Sequence, residues 1–320
     1  MKQRVLVTGG TGFAGGVFIQ QCNEIYDIVA MVRKEKDRDT LKNKGAKAVI
    51  IVDDLMQITK EHLEQIDIVV HFAALATVFA PKEDFYHVNV DGTKYLLDKA
   101  QKSHVKTFIY ISTESVLFVG NELIQVTEAM PYPLRHKYDY SQTKAIAEEY
   151  VLEANTSEFR TIALRPSMIW GPNDSKFIPS VIQSVKDGNF MLIDHGLKPK
   201  STTHIYNLIH GMKLAIEKGK GGSSYFINDG EKNSLKDFLK LILEEKGLIM
   251  PTKSIPSWFA LMLAYLFEFF FKITKNDKKP PLTEMEVRFF MSEITLEIGK
   301  AKQELGYEPI ISVKEGIKTL

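Results

Sequence analysis

Arg4-Val5-Leu6-Val7-Thr8-Gly9-Gly10-Thr11-Gly12-Phe13-Ala14-Gly15-Gly16 runs a short apolar strand straight into glycines spaced three apart, and this stretch decides the fold. The strand, Arg4 to Val7, ends where Gly9 can adopt a positive φ. Gly12 lacks the Cβ that would obstruct a pyrophosphate, and Gly15 lets the following helix pack closely on the sheet. The apolar run Val17-Phe18-Ile19 continues as that helix, so its free N–H groups face the place where phosphates would sit. A strand before and a helix after are the context in which such a glycine turn binds a dinucleotide.

Outward from this turn, apolar runs of strand length alternate with helical patterns. Strands are expected at Asp27–Val32, Ala46–Val52, Ile66–Phe72, Thr107–Ser112 and Thr161–Arg165. Helices are expected near Glu83–Ser103 and Asp139–Ala154. Continuous apolarity, as in Ile66-Asp67-Ile68-Val69-Val70-His71-Phe72, marks strands covered on both faces. The expected fold is therefore α/β, a doubly wound parallel Rossmann sheet with a smaller, interleaved α/β C-terminal substrate domain. Residues 1–172 would form the dinucleotide-binding domain, with 202–230 (a helix around Asn207–Glu217 and a strand Ser224–Ile227) returning to it. Residues 173–201 and 231–320 would form the substrate or lid domain.

Composition narrows the function classes. At 320 residues, 44% hydrophobic and 25% charged, with a net charge of +1, the chain is of ordinary globular make-up and gives no electrostatic reason to expect nucleic acid. The single cysteine, Cys22, reads as a buried residue of the first helix, which permits a reducing compartment. Met1 leads directly into the first strand, so no targeting signal is expected and the location is expected to be cytoplasmic. His195 has no second histidine or cysteine at metal spacing, and no metal site is expected.

The chemistry lies mid-chain. Tyr140-Ser141-Gln142-Thr143-Lys144 sets a phenol and an ammonium four apart on one helix face. Thr113 follows the apolar strand Phe108-Ile109-Tyr110-Ile111, which puts its hydroxyl at the carboxyl edge where open α/β sheets bind ligands. Asn89 falls in the helix before that strand, and Arg165-Pro166-Ser167-Met168-Ile169-Trp170-Gly171-Pro172 closes the next one.

With these stations in place the sequence resembles the extended short-chain dehydrogenase/reductase superfamily over essentially its whole length. The glycine turn, Asp54-Leu55, His71-Phe72-Ala73-Ala74, Asn89, Ser112-Thr113, Tyr140/Lys144 and Arg165-Pro166 through Gly171-Pro172 follow the order and approximate spacing of that family. The resemblance implies a catalytic set of Thr113, Tyr140 and Lys144. Tyr140 would be the acid/base, Lys144 its electrostatic partner and ribose ligand, and Thr113 the hydroxyl holding the reacting oxygen. The implied cofactor contacts are Gly9, Thr11, Gly12, Phe13, Ala14, Arg33, Asp54, Leu55, Phe72, Ala73, Ala74, Asn89, Tyr140, Lys144, Pro166, Ser167 and Ile169. A lysine ammonium near a phenol favours the phenolate, so Tyr140 is expected to titrate below its ordinary value of about 10.

Within the superfamily, dehydratases typically carry Thr-Asp-Glu where this chain has Thr113-Glu114-Ser115, so the usual elimination pair is broken. Glu114 itself reads equally as a solvated loop carboxylate or as a substrate-facing group. Gly171-Pro172-Asn173-Asp174, Phe177-Ile178-Pro179, Asp194-His195-Gly196, Thr203-His204-Ile205-Tyr206-Asn207-Leu208 and the closing segment from Ile298 to Pro309 resemble the 3β-hydroxysteroid and sterol dehydrogenase branch. His204 reads as a half-buried packing residue.

Trp258–Phe271 is apolar on nearly every helical face, with Glu268 its one charge, and is too short for a bilayer span of roughly 20 residues. Lys272, Lys275, Lys278 and Lys279 follow it. That arrangement suits a lid over an apolar substrate or a peripheral membrane contact through 258–279, against the alternative of a buried core helix. Arg33 ends the second strand where NAD-specific pockets place a carboxylate, which favours NADP over NAD. The expectation is an NAD(P)-dependent oxidoreductase interconverting a hydroxyl and a ketone on a small hydrophobic, sterol- or lipid-like substrate, with a homodimer open. The rival readings are a nucleotide-sugar epimerase and a non-catalytic NAD(P)-binding regulator or assembly factor.

Overall fold

The computed structural model describes residues 2–274 and 279–320. The chain begins β1 (Arg4–Thr8), α1 (Phe13–Cys22), β2 (Asp27–Val32), α2 (Arg38–Asn43), β3 (Ala48–Ile51), β4 (Ile68–His71), α3 (Lys82–Phe85), α4 (Gly92–Lys102) and β5 (Thr107–Ile111). It continues through β6 (Leu123–Val126), α5 (Asp139–Glu153), β7 (Arg160–Pro166), β8 (Ile169–Trp170), α6 (Phe177–Lys186), β9 (Leu192–Ile193), β10 (Pro199–Lys200), β11 (Thr203–His204) and α7 (Ile205–Lys218). The last part is β12 (Ser223–Ile227), β13 (Asn233–Ser234), α8 (Leu235–Glu245), β14 (Ser254–Ile255), α9 (Ser257–Ile273), α10 (Glu284–Met291), β15 (Ile294–Leu296), α11 (Gly299–Leu305) and α12 (Val313–Ile317).

Seven strands form one sheet in the order β12-β7-β5-β4-β1-β2-β3, every pair parallel. Val7 pairs with Ala30 on one side and Val70 on the other, so the strand order reverses between β1 and β4, where doubly wound sheets bind ligands. Alternate residues of each strand feed opposite layers. Val5, Val7, Ile28 and Ile109 join Phe18, Ile19, Leu208 and Met212 of α1 and α7, whereas Leu6, Val29, Val69 and Phe108 join Leu96, Leu97 and Val151 of α4 and α5. Coverage on both faces explains the unbroken apolar runs.

The strands lie within two residues of their expected bounds, and the departures are local. The expected helix Glu83–Ser103 is interrupted by a π-helical segment, Tyr86–Asp91, between α3 and α4. Such insertions re-aim side chains, and this one carries Asn89. A second sheet, β13-β10-β15-β6, draws β6 from within the first 172 residues. Segment 202–230 supplies α7 and β12, which pairs with β7.

Asp229 joins these parts. Its buried carboxylate accepts from Trp170 Nε1 (2.9 Å), Thr202 Oγ1 (2.7 Å), the His204 amide (2.6 Å) and Asn207 Nδ2 (2.8 Å). Four donors offset part of the cost of burying the charge, although burial still pushes its pKa up.

The apolar segment 258–271 lies in α9 and is not a core helix. Only Ala260 and Ala264 are fully buried, against Val287 of α10. Trp258 (68% exposed), Met262, Tyr265, Leu266, Phe269, Phe270 (63%) and Ile273 form one exposed stripe at helical spacing. Glu268 turns back to accept from the Glu284 amide at 2.7 Å, capping α10. Lys272 and Lys279 are exposed, while Lys275 and Lys278 lie outside the described residues. No helix among the described residues is long and apolar enough to cross a membrane.

Candidate active site

The carboxyl edge of the large sheet brings the chemical groups together. At the end of β1, Gly9 has φ +69°, and a Cβ there would lie 2.7 Å from the Ala73 amide nitrogen. A Cβ on Gly15 would lie 2.5 Å from the Gly9 carbonyl oxygen, so both positions need glycine. α1 starts at Gly12 with no side-chain cap, leaving its first amides free, and Thr11, Gly12, Phe13 and Ala14 line this mouth without being fully buried. The cradle fits a pyrophosphate.

Around it, Arg33 is exposed at the end of β2, and Leu55 is buried. Asp54 accepts from the Met56 amide at 2.8 Å and pairs with His87 at 2.6 Å; these contacts hold its carboxyl below the usual range, the Met56 amide contributing most. Phe72, Ala73 and Ala74 are partly buried beyond β4, with the Ala73 amide donating to Thr8 Oγ1 at 3.2 Å. His71 is fully buried between Thr8 (2.7 Å) and Thr93 (3.0 Å), and burial pushes it down to about 3, so it is neutral.

Asn89 is committed to the protein at both ends of its amide. Its Oδ1 accepts from the Leu75 amide at 2.7 Å and its Nδ2 donates to Thr143 Oγ1 at 3.2 Å. Since Thr143 lies beside Lys144 on α5, Asn89 ties the π-helical segment to the helix carrying Tyr140 and Lys144.

Thr113 leaves β5 in extended conformation and caps the turn Glu114–Leu117, accepting from the Ser115 amide at 3.2 Å and donating to Glu114 Oε2 at 2.7 Å. Tyr140 sits in the first turn of α5, its ring 6.5 Å from that of Phe85. Its phenol is pushed well above its ordinary value by burial and by the Glu114 carboxyl, with the Thr113 hydroxyl acting the other way. This reverses the expected depression.

The reason is where Lys144 points. Its Nζ donates to the Ile111 carbonyl at 2.7 Å and lies 4.1 Å from the centre of the Tyr110 ring, and burial lowers it to about 7 against the pull of Glu148. Glu148 is itself held by Arg165 at 2.9 Å and by Tyr132. Lys144 is thus braced into the sheet, and desolvation governs the phenol.

Pro166 ends β7 and is buried, as is Ser167 after it, and Ile169 is half-buried. Met168 between them has φ +33°. Ser112, Ser141 and Ser167 each have a buried hydroxyl without a partner among the described residues. Two of these, Ser112 and Ser167, sit at strand ends on the ligand-binding edge, and unsatisfied buried hydroxyls there suit a polar ligand. Uncapped amides, glycines with no room for a Cβ and spare hydroxyls together fit a dinucleotide.

Two histidines and the thiol have structural parts. His204 caps α7 by accepting from the Tyr206 amide at 3.2 Å and packs edge-on to Trp170; burial lowers it to about 4. His195 is an exposed loop residue at φ +61°. Cys22 is buried in α1, and burial pushes its thiol up to about 12.

Comparison with known proteins bears on the family and the fold. The model of the 3-beta hydroxysteroid dehydrogenase/isomerase family matches residues 6–257. A 4-hydroxy-2-methyl-3-oxo-4-farnesyl-3,4-dihydroquinoline-1-oxide ketoreductase of Stigmatella aurantiaca is 34% identical over 99% of this chain and 95% of its own. A decarboxylating sterol-4-alpha-carboxylate 3-dehydrogenase of Candida albicans is 32% identical over 98% of this chain and 95% of its own. Among solved structures, UDP-glucuronic acid 4-epimerase from Bacillus cereus in complex with NAD superimposes with a TM-score of 0.76 at 20% identity, covering 99% of this chain and 97% of that one, a likeness of fold.

Proposed function

The chain belongs to the 3-beta hydroxysteroid dehydrogenase/isomerase family, and from that premise we propose that it is an NAD(P)-dependent oxidoreductase interconverting a ketone and a hydroxyl on a hydrophobic, sterol- or lipid-like substrate. The observation that carries the reading is that Tyr140 is within reach of the Thr113 hydroxyl beyond β5, while the uncapped start of α1 follows β1 at the same edge of the sheet. Relatives named as a farnesylated-quinoline ketoreductase and a sterol dehydrogenase support the substrate class.

The glycine turn, Thr11, Phe13 and Ala14 would hold the pyrophosphate; Arg33, Asp54 and Leu55 would face the adenosine end; Phe72, Ala73, Ala74, Pro166, Ser167, Ile169 and Lys144 would line the nicotinamide end. When bound, the dinucleotide would supply the hydride for the carbonyl carbon. Tyr140 gives its proton to the oxygen as the C=O bond becomes C–O–H, and Thr113 orients that oxygen. A phenol held in its protonated form is competent as the proton donor for ketone reduction, and oxidation is the same path reversed. Arg33, standing where a carboxylate would repel a 2′-phosphate, supports NADP over NAD. Segments 173–201 and 231–320 would close over the substrate, and the exposed stripe of α9 with Lys272 and Lys279 supports peripheral contact with an anionic lipid surface.

Tyr140→Phe tests the assignment. Turnover should fall by about a hundredfold or more with dinucleotide affinity kept, because only the proton-carrying oxygen is removed. Near-normal turnover in that variant would overturn it. Lys144→Ala should lose both turnover and dinucleotide affinity.

A further inference from the structure

Glu114 is a buried carboxyl beside the Thr113 hydroxyl that this reduction leaves without a task. It follows Thr113 directly, is only 5% exposed, and forms no ion pair among the described residues. The sequence alone left it open to be a solvated loop carboxylate; the turn Glu114–Leu117 folds it inward instead.

Its Oε2 lies 2.7 Å from Thr113 Oγ1, and that oxygen already accepts from the Ser115 amide. A hydroxyl has one proton to give. An ionised Glu114 is an acceptor only, so it takes the Thr113 proton and leaves none for a substrate carbonyl. A protonated Glu114 can donate to Thr113 Oγ1, which releases the threonine proton toward the reacting oxygen. We propose that Glu114 is a positioning residue that works as a carboxylic acid, setting the direction of the Thr113 hydroxyl so that carbonyl reduction proceeds while Glu114 carries its proton. The inference rests on Thr113 and Tyr140 acting on substrate as described above.

The surroundings raise the cost of ionising Glu114. Burial pushes Glu114 up, opposed chiefly by the hydrogen bond of the Thr113 hydroxyl. From α5 the group that bears on it is Tyr140, whose phenolate and a Glu114 carboxylate would repel each other. Lys144 on the same helix spends its Nζ on the Ile111 carbonyl. The loop after β7 presents Ser167, which is uncharged. Removal of negative charge also helps the reaction, since the reduced oxygen carries alkoxide character before Tyr140 protonates it.

Two measurements test this. In the substrate-free protein, infrared pH titration should show a protonated-carboxyl stretch that is present at neutral pH and absent in Glu114→Gln. An ionised Glu114 throughout the working range would overturn the proposal. In reduction of a 3-oxo steroid by NADPH, wild-type kcat should fall on the alkaline side as Glu114 ionises, with KM little changed. Glu114→Ala, which leaves the Thr113 hydroxyl undirected, should lose about tenfold in kcat at every pH. Glu114→Gln, whose amide donates to Thr113 at every pH, should recover most of that loss and hold its rate to higher pH. An alkaline limb in Glu114→Gln that superimposes on the wild type would contradict the proposal, as would complete loss of turnover with melting temperature and dinucleotide affinity intact. Full activity in Tyr140→Phe would instead remove the underlying reading and leave the infrared result standing by itself.

Discussion

Arg33 is the side chain on which the proposed preference between two nicotinamide dinucleotides rests. Exposed at the end of β2, its guanidinium is free to meet a 2′-phosphate, and a charge-assisted contact of that kind is worth about 1.5–3 kcal/mol. Arg33→Ala should therefore weaken NADP binding by about tenfold or more while leaving NAD nearly unaffected, as titration of both would read; equal weakening would mean that the guanidinium serves the fold. Tyr140 shows what a sequence withholds at this scale. The i, i+4 spacing with Lys144 was legible because helix geometry alone sets it. Which way the ammonium points was not, since that depends on the Ile111 carbonyl and the Tyr110 ring, brought in from another strand. Glu114 was illegible for the same reason: loop residues are usually solvated, and only the tertiary turn buries this one.

Among the elements, the parallel strands were the most legible because their apolar runs need cover on both sides. The least legible was the π-helical break before α4, which no periodicity announces and which Asn89 stabilises through Leu75 and Thr143. Lys200 on β10 makes a comparable contribution to α10. Its buried Nζ donates to the carbonyls of Phe289 (2.7 Å) and Ser292 at the end of that helix, and burial lowers it to about 7. The unfolded lysine binds its proton up to about 10.4, so between the two values the unfolded chain holds more protons than the folded one and stability rises with pH. Lys200→Met should thus destabilise the protein, because two carbonyls lose their donor, and the deficit against wild type should widen as pH goes from 7 toward 10. A pH-independent difference in melting temperature would show that Lys200 stays charged when folded.

For the molecule as a whole, the distribution of apolar surface is informative. Two layers close fully on the large sheet, yet α9 keeps a stripe of aromatic and aliphatic side chains in the open. Replacing Phe269 and Phe270 with serine should reduce association with anionic liposomes while moving the melting temperature little, since exposed substitutions usually change stability by about 0.5 kcal/mol or less. A sharp thermal loss with unchanged liposome binding would assign the stripe to packing. The apolarity of this helix was plain in the sequence; its exposure was not, because only the docking of Ala260 and Ala264 on α10 decides which face is left.

Net redox turnover tests the central claim most directly. Purified protein mixed with NADPH and a 3-oxo steroid should consume NADPH in proportion to the alcohol formed, and Tyr140→Phe should abolish that consumption. Protein that retains a bound nicotinamide dinucleotide through purification and interconverts a nucleotide sugar, with no net change in nicotinamide absorbance, would contradict it.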